Sequence, residues 1–95
     1  MSTLQAQIVY DDLRETERYP ADDGAEALIP GSESISCVVL DISTSGARIA
    51  LVDDASHVPA GLKIYIAERD LIADCKVVWR KGKEFGVVFE STAIL

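Results

Sequence analysis

One histidine, His57, is all the imidazole this chain has. With no second histidine and no cysteine near it, it lacks the partners of a metal centre and reads as an exposed loop residue. The same scarcity leaves no nucleophile–base pair for covalent or acid–base catalysis. No glycine-rich phosphate loop precedes a helix, and the carboxylates do not recur at metal-ligand spacing. Positive charge is scarce too. Nine lysines and arginines stand against sixteen aspartates and glutamates, for a net charge of −7. A polymer of nucleic acid needs a basic face that displaces counterions, so that partner is not expected. Docking on anionic membranes is disfavoured for the same reason. No apolar run approaches the ~20 residues of a membrane-spanning helix. Met1 to Asp12 carries no lysine or arginine, unlike a secretory signal, so a cytoplasmic protein is expected. Only two cysteines are present, Cys37 and Cys75, far apart and inside apolar runs. They read as reduced, buried thiols.

What is present is apolar and strand-like. Ninety-five residues with 48% hydrophobic content suit one small globular domain. Ala25 to Ile29 makes a short first strand, with Asp22-Asp23-Gly24 as a turn before it and Pro30-Gly31-Ser32 as a turn after it. Ser34 to Ile42 is rich in β-branched residues and forms the second. Ala47, Ile49 and Leu51 alternate inward around an outward Arg48. Leu62, Ile64 and Ile66 repeat that pattern. Ala73, Cys75, Val77 and Trp79 share one face of a long strand over residues 71–80, which predicts Trp79 in the core. Phe85, Val87 and Phe89 line the last strand, after a turn at Lys81-Gly82-Lys83. A small sheet of such lengths closes more readily than it stays flat. The expectation is all-β: a six-stranded antiparallel β-barrel with a flexible N-terminal arm. Residues 1–13 form a tail and 14–95 the barrel domain.

Two stretches carry recognition chemistry. Arg14 and Arg18 lie four apart in Arg14-Glu15-Thr16-Glu17-Arg18-Tyr19-Pro20, where Pro20 ends any helix and pushes Tyr19 to extended backbone. Arginine grips phosphate oxygens and base acceptors with a planar fork, and its plane can stack on a purine. The second stretch, Asp41-Ile42-Ser43-Thr44-Ser45-Gly46, reads as strand, tight turn, strand. Asp41 can accept from the N–H groups of a guanine edge, Ser43 can add a hydroxyl contact, and Gly46 gives the turn conformational freedom and room. Arg80 is either an auxiliary ligand contact or an exposed strand residue.

Arg14-x-x-x-Arg18 followed by Asp41-x-Ser43-x-x-Gly46 resembles the two-part signature of the PilZ domain family. Gly46-Ala47-Arg48-Ile49, Val77-Val78-Trp79-Arg80 and Phe85-Gly86-Val87-Val88-Phe89 resemble that family's third strand and closing hairpin. The likeness runs from about Arg14 to Glu90. It implies a bacterial six-stranded barrel that is not an enzyme and binds cyclic di-GMP, with no cofactor and no metal. Arg14 and Arg18 would hold phosphates and guanine faces, Asp41 and Ser43 a guanine edge, and Gly46 would shape the turn. The arm would close over the ligand and signal to a partner protein. The alternative is an adaptor that binds no nucleotide and works through protein contacts. Leu13 stands where family members often carry a further arginine, and Glu15 and Glu17 dilute the arm's positive potential.

Overall fold

The computed structural model describes residues 19–95. Six antiparallel strands close into a barrel in the order β1-β2-β3-β6-β5-β4. They are β1 (Tyr19–Leu28), β2 (Ile35–Ile42), β3 (Gly46–Ala50), β4 (Gly61–Ile66), β5 (Leu71–Lys81) and β6 (Glu84–Ile94). Two 3-10 turns, Ala55–His57 and Ala67–Arg69, lie on either side of β4.

The predicted alternation holds where strands are regular. Ala47, Ile49 and Leu51 are buried, as are Leu62, Ile64 and Ile66. Ala73, Cys75, Val77, Phe85 and Val87 join them in one continuous core, with Phe89 half-buried against it. Fully burying a large side chain such as Phe85 or Ile49 is worth about 1.5–3 kcal/mol, so this interior supplies most of the driving force. Cys37 and Cys75 are free and buried. Burial raises both thiols, Cys37 to about 11 and Cys75 to about 12. His57 is exposed on the first 3-10 turn, whose start Asp54 caps by accepting from the Ser56 N–H at 2.7 Å.

Two of the turns fall where glycine marks them. Gly31, at φ +76°, lies in the turn that the Ser32 N–H closes by donating to the Ile29 carbonyl at 3.0 Å. Gly82 at φ +61° reverses the chain between β5 and β6.

Two boundaries differ from the sequence reading. β1 begins at Tyr19 and runs through Asp22-Asp23-Gly24, which turn chemistry alone assigns to a loop. A bulge between Pro20 and Asp23 accommodates the extra residue. Asp23 is ion-paired to Arg69 across the barrel wall, so its charge has a partner inside a strand. β6 extends to Ile94 because Ser91 to Ile94 pair with Leu71 to Asp74. Residues 1–13, read as a tail, lie outside the described residues, as do Arg14 and Arg18.

Candidate functional site

Residues along a strand alternate between faces, so one inserted residue reverses the phase of everything after it. Val39 is fully buried. Strict alternation would then turn Asp41 into the core. Instead the β2–β3 pairing steps from Val39↔Ile49 to Asp41↔Arg48, leaving Leu40 as the extra residue. Ile42 becomes the buried neighbour and Asp41 faces outward.

The same device acts on β5. The β5–β6 pairing steps from Val77↔Val87 to Trp79↔Gly86, with Val78 inserted. Trp79 therefore leaves the core face predicted for it and is 37% exposed. The two bulges bring Asp41, Arg48, Gly86 and Trp79 into one transverse row on the outer face, across β2, β3, β6 and β5. A cleft of about 240 Å³ lies along that row, floored by Ala47 and Val87 and flanked by Val78.

Each side chain in the row is held. Arg48 Nε donates to Asp41 Oδ2 at 3.0 Å, and its Nη1 donates to Glu84 Oε1 at 3.2 Å. The Asp41 carboxylate, ahead of Glu84, holds the Arg48 guanidinium above its ordinary value. The Trp79 indole lies over Gly86 with no room for a side chain between them. The cleft thus joins an anionic acceptor, a guanidinium and an aromatic ring.

The Ser43–Gly46 turn braces one end of the row. Ser43 is buried, and its hydroxyl oxygen accepts from the N–H groups of Ser45 and Gly46, each at 3.2 Å. The Ser43 N–H donates to the Gly46 carbonyl at 2.8 Å. The turn itself thus engages Ser43. Gly46 is needed for a reason other than conformational freedom, since its φ is not positive. A β-carbon there would stand 2.1 Å from the Val87 carbonyl oxygen. Glycine at this position lets β3 approach β6.

Arg80 Nε donates to the Val58 carbonyl at 2.9 Å, tying the loop before β4 to β5. Tyr19 pairs with Ile42 and Pro20 with Asp41, so the chain enters the barrel beside Asp41. Arg18 is the next residue back in sequence.

Sequence reasoning passed over Arg48, Gly86 and Trp79 as site residues. One signal was available: a glycine inside a strand, as at Phe85-Gly86-Val87, marks a close approach. Among the described residues no cluster of three or more His, Cys, Asp or Glu could hold a metal ion. No helix of the described residues is long and apolar enough to cross a membrane.

No curated protein matches the chain. The family model of the PilZ domain matches residues 12–94. That match takes in the whole barrel, the row on its outer face and the segment that leads into it, and so the chain belongs to the PilZ domain family, a family of cyclic di-GMP-binding and adaptor domains.

Proposed function

We propose that this chain is a non-catalytic receptor for cyclic di-GMP, which binds between the segment of residues 14–18 and the Asp41–Gly46 turn. The observation that carries the reading is the register at the start of β1. Pro20 pairs with Asp41, so Arg18 is only two residues in sequence from the strand position beside the proposed guanine acceptor. In this reading Arg14 and Arg18 bind phosphates and stack on guanine faces. Asp41 accepts from a guanine edge, Ser43 and Gly46 keep the turn in shape, and Trp79 offers its exposed face to the base. Arg80 is an outer contact at most, since its Nε is already engaged by Val58. The ligand favours a closed arm only by the contacts that closure adds, and a partner protein reads the closed state.

A second reading has one observation in its favour. Asp41 is already ion-paired to Arg48, and the arm carries Glu15 and Glu17 between its arginines. An adaptor that works through protein contacts alone would have the same barrel.

Isothermal titration with cyclic di-GMP separates the two. The receptor reading expects saturable heat, and Arg18→Ala should cost on the order of 2 kcal/mol or more, the worth of a charge-assisted bidentate contact. No heat and no competition at tens of micromolar ligand would leave the adaptor. Binding that survives both Arg14→Ala and Asp41→Ala would overturn the site.

A further inference from the structure

A second, wider cavity of the barrel lies away from the Asp41 row. It measures about 690 Å³ and is walled by the β1–β2 turn, the start of β4 and the middle of β5 and β6. That volume falls within the ~300–1,000 Å³ of ligand-binding clefts. Its floor is apolar: Leu28, Ile29, Leu62 and Cys75. Along β1 it sits eight residues from the Pro20 end, so it belongs to a different part of the wall.

The rim is acidic. Leu28, Lys63, Asp74 and Ser91 form a transverse row on four strands. Among the described residues Lys63 is the only basic one lining the cavity, and its Nζ donates to Asp74 Oδ1 at 2.6 Å. Ser91 Oγ donates to Asp74 Oδ2 at 2.8 Å. Glu90 is left over. The β5–β6 register steps from Asp74↔Ser91 to Cys75↔Phe89, so Glu90 is the residue inserted by a bulge. It is exposed at the cavity, and its side chain makes no hydrogen bond or ion pair among the described residues. Bulges re-aim side chains in this way at functional surfaces.

We infer that this cavity is a docking site for a partner protein, which inserts a large apolar side chain flanked by lysine or arginine. The apolar floor receives the anchor, and the Glu90 carboxylate receives the cation once its bulge has brought it to the rim. Charge selects the partner's class. A second copy of a chain with net charge −7 would bring like charge to an acidic rim, whereas a basic segment is attracted to it. This inference does not depend on nucleotide binding.

The test uses the full chain, immobilised, against a displayed library of random peptides. The expected enriched set carries a large apolar residue with lysine or arginine beside it. A synthetic peptide from that set should shift the amide signals of Ile29, Gly31 to Ser34, Lys63 and Ser91 in the labelled protein. Glu90→Lys should weaken it at least tenfold. Ser34→Trp, which fills the cleft from an exposed position, should do the same, while exposed Val52→Ser should leave it unchanged. No enrichment, an acidic or uncharged set, or shifts centred on Trp79 would overturn the proposal. So would binding indifferent to both cavity variants. Concentration-dependent self-association abolished by Ser34→Trp would overturn it in favour of a second copy.

Discussion

The indole of Trp79 rests directly on Gly86: a β-carbon built there would lie 2.1 Å from Nε1 and 2.4 Å from Cε2. The atoms it would meet belong to a half-exposed side chain, not to backbone. Gly86→Ala is therefore expected to displace the ring and leave the barrel folded, at about 1–3 kcal/mol of overpacking. Trp79 is the only tryptophan, so emission reports on this event alone. A red shift should accompany at least tenfold weaker cyclic di-GMP binding. An unshifted spectrum would mean that the indole does not rest there in solution.

Gly46 offers a contrast, since an added β-carbon there meets the Val87 carbonyl oxygen at 2.1 Å, and Val87 C and Val88 Cα at 3.2 Å. All three are backbone and cannot step aside. Gly46→Ala should separate β3 from β6 and cost more than Gly86→Ala in a urea titration, by roughly 1 kcal/mol or more. Ser43→Ala removes the acceptor for two N–H groups inside the same turn and should cost about 1–3 kcal/mol. Equal stability of the wild type and Ser43→Ala would remove the bracing role.

The Arg48–Asp41 ion pair is exposed on the arginine side, with 44% of that side chain open to solvent. Such pairs contribute about 0–1 kcal/mol to folding. Arg48→Ala should therefore barely move the melting temperature. Asp41→Asn should likewise leave the fold intact and yet weaken nucleotide binding by more than Arg48→Ala does, because it neutralises the proposed guanine acceptor. Calorimetric titration of both variants checks the order.

Stability should fall at both ends of the pH range, for different groups. Arg69 holds the Asp23 carboxyl below its ordinary value, and Lys63, then Ser91, do so for Asp74. A carboxylate with a lowered folded pKa stabilises the fold above its unfolded value of 3.8, and that support is lost as pH falls through the folded value. At the alkaline end the sign reverses. Cys37 and Cys75 are raised from 9.0 to about 11 and about 12, so unfolding releases protons above pH 9. The urea midpoint should drop from there upward. Cys37→Ala and Cys75→Ala should flatten that limb, and in the native protein at pH 8 a thiol reagent should react only as fast as the barrel opens.

The architecture was legible in the sequence because regular strands declare themselves by period. Ala47-Arg48-Ile49-Ala50-Leu51 and Leu62-Lys63-Ile64-Tyr65-Ile66 alternate cleanly and fold as they read. The outer row was harder to see. Its geometry depends on two inserted residues, Leu40 and Val78, both apolar and both inside apolar runs. Nothing in their chemistry distinguishes an extra residue from a regular one, because a bulge depends on the partner strand's register. Trp79 was consequently assigned to the wrong face. Asp22 and Asp23 misled in the other direction: a carboxylate pair favours a turn locally, and the distant Arg69 supplies Asp23 with a partner in the strand.

The two sides of β1 are fastened very unequally. Against β2 its pairing runs from Tyr19 to Ala27, whereas against β4 it spans only Glu26, Ala27 and Leu28. The ring of strands therefore has a short clasp, and Leu28↔Lys63 is its last pair, at the lip of the acidic cavity. Mechanically the molecule is a curled ribbon buttoned at one corner. Tension on the segment ahead of Tyr19 would be borne by β2, and so by Asp41, before it reached the clasp.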